Sequence, residues 1–131
     1  MHVAPRALAF DLDGTLWSCD DVIRRAEIAL FEWLKRHYPR IPEAYDREAM
    51  RVVRRDLAKR RPELAADVTA LRRASLVWHA ERAGYDPSLA DAGLEVFLTE
   101  RRRVSPYVDV PPALERLADT SPLIALTNGN A

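Results

Sequence analysis

The chain has 131 residues, with twenty Lys and Arg against twenty Asp and Glu and a formal net charge of zero. That length sets one ordinary domain or a core carrying one insertion, and the even charge removes the electrostatic case for a nucleic-acid or acidic-membrane partner. A single cysteine, Cys19, excludes an intrachain disulfide framework and a thiolate metal cluster, and His2, His37 and His79 share no ligand spacing.

The first element is "ALAFDL", residues 7–12, an apolar run soon followed by glycine. It predicts a strand buried on both faces, as in a parallel sheet. Next comes "DDVIRRAEIALFEWLKRHYP", in which Ile23, Ala26, Leu30, Trp33, Leu34 and Tyr38 recur at helical spacing before Pro39. "DREAMRVVRRDLAKRR" predicts a second helix capped by Asp46 and stopping before Pro62. In "DVTALRRASLVWHAERAG" the stripe is Val68, Leu71, Ser75, Trp78 and Arg82, with Gly84 as a C-terminal stop. "DPSLADAGLEVFLTERRR" predicts a fourth helix with Asp86 as cap, Pro87 at its first position and cations at its end. A short helix, "VPPALERLAD", then leads into "LIALT", residues 123–127, a second apolar strand. A strand, a long connection, a helix and another strand imply a right-handed crossover and parallel pairing.

The fold class is therefore α/β: an incomplete Rossmann-like parallel-sheet core, residues 1–16 and 106–131, with an all-α four-helix insertion over residues 17–105. So few residues outside the insertion do not make a finished α/β domain, because below roughly 70–80 residues a core rarely supplies more than a few kcal/mol. The N-terminal apolar run is too short for a signal peptide and no segment approaches the length of a membrane span, so the cytoplasm is the expected location.

The chemistry lies in "FDLDGT". Asp11 and Asp13 stand two apart where a strand ends, and residues two apart on a strand face the same side. Open α/β sheets place their ligands at that end. Two carboxylates there can hold a hard cation, act as nucleophile and acid–base pair, or only cap a turn with Gly14 supplying the bend. Magnesium takes one or two carboxylates plus substrate phosphate, and a carboxylate can attack phosphorus. The two roles belong together, since a carboxylate about 4 Å from a phosphate dianion is repelled by about 8 kcal/mol at an effective dielectric of 20. The apolar strand ahead, Thr15 behind, and a second apolar strand ending in Thr-Asn-Gly weigh against the turn-only reading.

"FDLDGTLW" resembles the first signature of the haloacid dehalogenase superfamily, D-x-D-G-T, and "IALTNGN" resembles its second, an apolar strand ending in Ser or Thr. The resemblance spans the chain. It implies that Asp11 is the nucleophile and Asp13 the general acid/base, with Mg²⁺ held by the Asp11 side chain and the Asp13 backbone carbonyl. It implies that Thr127 and the Asn128 amide bind the phosphoryl group and that the helical insertion is a cap. An aspartate at position 13 points to the phosphatase or phosphomutase branches, because the dehalogenases lack an acid–base aspartate there and the ion pumps carry threonine. The T-N-G-N ending with this cap looks most like bacterial phosphatases of flavin-pathway phosphates, such as phosphoribitylamino-uracil or FMN. The substrate so implied is a small-molecule phosphate ester. Trp17, Arg72 and Arg73 are candidate substrate contacts; Trp33 and Trp78 lie on apolar stripes and are assigned to packing, and Cys19 is a bystander.

The family's third signature is a lysine and its fourth an acidic pair, both after the second. Lys35 and Lys59, the only lysines, lie in the inserted helices, and after Thr127 there are only Asn, Gly, Asn and Ala. The reading adopted is the N-terminal part of a longer phosphatase, with weak magnesium binding and little turnover from these 131 residues alone. The alternatives are a non-catalytic binding module, a split enzyme completed by another chain or by oligomerisation, and a sugar phosphomutase.

Overall fold

The computed structural model describes residue 3 and residues 5–127. They divide into two units, one from the N-terminal end through Val22 and from Arg103 onward, the other over Ile23–Arg102.

The first unit holds strand β1, Leu8–Asp11, and strand β2, Leu123–Leu126, paired in parallel with Leu8 opposite Leu123 and Asp11 opposite Leu126. The ladder is extended by the Leu8 amide, which donates to the Pro122 carbonyl at 2.9 Å. Parallel pairing follows from the connectivity, and both strands run out at the same edge. Contrary to the expectation from their apolar sequences, neither strand is buried. Ala9, Ile124 and Leu126 are exposed, and Leu8, Phe10 and Leu123 are half-buried. Val22 is the one fully buried residue among the described residues of this unit.

The second unit is helical. Helix α1, Cys19–His37, begins in the first unit and carries Asp20 and Asp21 in its first turn and Lys35, Arg36 and His37 in its last, each sign matching the helix dipole. The Ser18 hydroxyl accepts from the Asp21 amide at 3.2 Å, which satisfies one amide of the first turn. After Pro39 a short helix α2, Arg40–Ala44, precedes α3, Arg47–Arg60. Asp46 caps α3 as expected, its carboxylate accepting from the Ala49 amide at 2.7 Å. A second short helix, α4, Pro62–Ala65, leads to α5, Val68–Arg82. Gly84, at φ +73°, ends α5. The Tyr85 amide reaches back to the Ala80 carbonyl at 2.9 Å and the Gly84 amide to Glu81 at 3.2 Å, the reversal that a left-handed residue permits.

Helix α6, Leu89–Arg101, starts later than its sequence suggests. The Asp86 carboxylate accepts from the Ser88 amide at 2.8 Å and so closes a turn ahead of the helix instead of capping it. Helix α7, Val110–Ala118, returns to the first unit with Pro111 and Pro112 in its opening turn, where no amide partner is needed. The helical core gathers Ala26, Leu30 and Leu34 of α1, Ile41 of α2, Met50 of α3, Leu76 and Ala80 of α5, and Leu89, Ala90 and Phe97 of α6. Gly93 lets α6 approach closely, since a Cβ there would stand 3.2 Å from the Trp33 ring and 3.3 Å from Leu76. Trp33 packs against this core, and the Trp78 ring stands 5.6 Å edge-on from Tyr45, as their apolar stripes imply.

The buried face of α5 is rotated from the predicted stripe. Leu71 and Ser75 are buried, but their companions are Arg72, Leu76, His79 and Ala80, while Val68 and Arg82 are exposed. Among the described residues no helix is long and apolar enough to cross a membrane.

Candidate active site

The candidate site lies within the first unit, at the edge where both strands end. Asp11 is the last residue of β1 and pairs with Leu126, the residue before Thr127. Past Asp11 the chain folds into a tight turn. The Thr15 and Leu16 amides both donate to the Leu12 carbonyl, at 3.1 and 2.9 Å, and the Gly14 amide donates to the Trp17 carbonyl at 2.9 Å. Gly14 sits at φ +79°, which strains any residue with a Cβ.

This turn fixes both carboxylates through donors four residues ahead. The Thr15 hydroxyl donates to Asp11 Oδ2 at 3.1 Å, and the Trp17 indole Nε1 donates to Asp13 Oδ1 at 2.9 Å. Asp11 is exposed and its Oδ1 carries no hydrogen bond among the described residues, whereas Asp13 is half-buried. Two short bridges hold the turn from below. Residue 17 pairs with Asp13 on one side and with Pro106 on the other, and the Tyr107 amide donates to the Leu16 carbonyl at 2.9 Å.

Asp11, Asp13 and Thr127 are thus gathered at one end of the sheet; Asn128 lies outside the described residues. Trp17, a candidate substrate contact in the sequence, is instead committed to Asp13, and its spacing of four from that aspartate was the available signal. Arg73 pairs with Asp91 at 2.7 Å on the helical unit, and Arg72 is buried there against Glu27 and the Phe97 ring. Cys19 is half-buried at the start of α1. No cluster of three or more His, Cys, Asp or Glu side chains forms among the described residues.

A family model described as haloacid dehalogenase-like hydrolase matches residues 5–131. The chain belongs to the haloacid dehalogenase-like hydrolases. Its resemblance in the D-x-D-G-T turn and the second strand therefore reflects membership, and the α/β core with helical insertion is the fold of that family. Among these hydrolases it is 32% identical over 129 residues to the 5-amino-6-(5-phospho-D-ribitylamino)uracil phosphatase YigB of Escherichia coli K12, covering 95% of this chain and 54% of that one. It is also similar to the solved structure of a 2-haloacid dehalogenase from Pseudomonas syringae pv. Tomato DC3000, with a TM-score of 0.79 and 39% identity over 96% of this chain and 56% of that one. The chain spans about half the length of both haloacid dehalogenase-like relatives.

Proposed function

We propose that the protein is a Mg²⁺-dependent phosphomonoester hydrolase that works through an aspartyl-phosphate on Asp11. The observation that carries this reading is the second carboxylate, Asp13, half-buried and held by the Trp17 indole two residues past the nucleophile. Its two named relatives act at different atoms, and the presence of Asp13 supports the phosphatase reading. A halide leaves carbon as a stable anion and needs no proton, whereas an alkoxide leaving phosphorus does.

In the first step a carboxylate oxygen of Asp11 attacks phosphorus, the ester P–O bond breaks, and Asp13 gives its proton to the departing oxygen. In the second, Asp13 takes a proton from water as that water attacks phosphorus. The acyl-phosphate P–O bond breaks, releasing inorganic phosphate and restoring the Asp11 carboxylate. Thr127 and the Asn128 amide hold the phosphoryl oxygens, whose charge fixed donors stabilise in the transition state. The Asp11 carboxylate, of which Thr15 engages one oxygen, and the Asp13 backbone carbonyl would hold Mg²⁺ through hard oxygen ligands. The cation supplies the positive charge that offsets repulsion between carboxylate and phosphate.

Residues 17–105 serve as a cap that selects the substrate, a small phosphate monoester in the cytoplasm. Phosphorylated ribitylamino-uracil is the first to try, because the phosphatase relative carries it in its name. The test measures phosphate release from an aryl phosphate and halide release from 2-chloropropionate, using the natural gene product. The natural product is expected to release phosphate only with Mg²⁺, and Asp11→Asn to lower the rate by about 10³ or more. Halide release without phosphate release from the natural product overturns the proposal.

A further inference from the structure

The helical unit carries a second charged site that the phosphatase reading does not use. Glu27 of α1 is buried, and three arginines converge on it. Arg51 donates to Oε2 through Nε and Nη2 at 2.9 and 2.7 Å, Arg54 to Oε1 at 2.8 Å, and Arg72 to Oε1 at 3.5 Å. Beside this knot a cleft opens, with about 20 Å³ of room for a water-sized group, lined by Glu27, Arg47, Arg54 and Arg72 over Leu30 and Phe31. Its charged lining is three guanidinium cations to one carboxylate, an excess of two positive charges.

Three features show that this excess is not neutralised from within. Arg72 is nine-tenths buried, yet its one hydrogen bond among the described residues is the 3.5 Å contact; its guanidinium otherwise stacks on the Phe97 ring at 3.6 Å. Burial, joined by the Arg54 charge and only partly offset by Glu27, pushes the Arg72 guanidinium down to about 9. Arg47, exposed at the mouth, makes no ion pair or hydrogen bond among the described residues. Arg47 is also the first residue of α3, where a cation opposes the helix dipole and an acid is the stabilising choice.

We propose that the cleft between α1, α3 and α5 binds a phosphate-class dianion through Arg47, Arg54 and Arg72. A dianion closes the charge excess, and guanidinium forks pair with phosphate oxygens two at a time. A space of about 20 Å³ is room for a water-sized group, so an oxygen of the anion enters while the rest of it stays outside. Both free phosphate and the phosphate of a monoester present this chemistry.

The site stands independently of the phosphatase reading, and the test keeps the two apart. The 131-residue chain is titrated calorimetrically with sodium phosphate, and separately with phenyl phosphate, in Mg²⁺-free buffer with EDTA; thermal melting is compared in phosphate and in sodium chloride of equal ionic strength. Phosphate is expected to raise the melting temperature above the chloride value. Arg47→Gln is expected to weaken binding about tenfold, as loss of a charged hydrogen-bonding group does, without lowering the melting temperature in chloride. Thr127→Val, at the other anion site, is expected to leave the Arg47-dependent part of the binding as it was. Arg47-dependent binding of phenyl phosphate assigns the cleft to esters, and Arg47-dependent binding of inorganic phosphate alone assigns it to the free ion. The proposal is overturned if phosphate does no more than chloride, if Arg47→Gln binds as well as the parent, or if Thr127→Val abolishes binding while Arg47→Gln does not.

Discussion

At the scale of single residues, Trp17 and His79 have the most definite consequences. The Trp17 indole fixes one oxygen of Asp13 at 2.9 Å, so it positions the proposed acid without touching the phosphate. In the natural gene product, Trp17→Phe keeps the ring and removes the donor. It is expected to lower kcat by about tenfold with little change in KM, and to shift the alkaline limb of the kcat/KM–pH profile, on which a general acid loses its proton, as steady-state kinetics across pH would show. A purely structural tryptophan would leave that limb in place. His79 is wholly buried beside the Tyr45 and Trp78 rings, each 4.9 Å away. Its Nδ1 donates to the Ser75 carbonyl at 2.7 Å, which leaves Nε2 buried without a partner. Burial, aided by the Arg54 charge and opposed by the Ser75 bond, holds the imidazole below its ordinary value of 6.5. With the folded value depressed, the unfolded chain binds the proton first as pH falls. Stability is therefore complete above about pH 6.5 and lost progressively below it, by up to about 1.4 kcal/mol per pH unit. Denaturant unfolding at pH 7.5 and 5.5 would show this slope, and His79→Phe is expected to flatten it. The role of His79 was not legible in the sequence. The Asp13 and Gly14 turn was, because its hydrogen bonds are local; the burial of a histidine depends on residues far away in the chain.

At the scale of elements, Glu27 ties α1 to α3 and α5. Burial alone would raise its carboxyl, but the Arg51 hydrogen bond and the charges of Arg54, Arg72 and Arg51 together hold it below the usual range. Removing it leaves three arginines facing one another, one of them buried. Glu27→Ala is expected to cost about 3–5 kcal/mol in denaturant melts, far more than an exposed pair such as Lys35 with Glu32, worth under about 1 kcal/mol. This network also explains why the α5 stripe was misread. A pattern counted on apolar residues passes over Arg72 and His79, yet Arg72 is buried because Glu27 and the Phe97 ring receive it. The Asp46 cap was readable because its bond reaches only three residues, to the Ala49 amide. Asp86 offered the same signal but closed a turn onto Ser88, since a carboxylate can satisfy a nearby amide either way. The short helices α2 and α4 are too brief for periodicity to reveal.

At the scale of the whole molecule the two units differ in how they are held. The helical unit has a packed interior, whereas the sheet unit has two short strands with both faces largely open. Local opening free energy follows buried contact. Amides of β1 and β2 are expected to exchange with deuterium at least about a hundredfold faster than those in the middle of α5, as mass-resolved exchange of the 131-residue chain would show. Equal protection in both would mean that the open faces are covered in solution. The parallel pairing of the strands was legible from connectivity, but their exposure was not, because an apolar run states what a strand needs and not whether it is provided. The bridge between Trp17 and Pro106 has a consequence of another kind. Antiparallel partners stand about 5 Å apart, so the chain leaves for the helical unit and comes back through a single doorway. A two-residue turn spans such a gap. The helices can therefore be exchanged for a short link, or for a different module, without lengthening the path that joins the aspartate turn to the second strand. Change in the insertion is thereby uncoupled from the register of the turn.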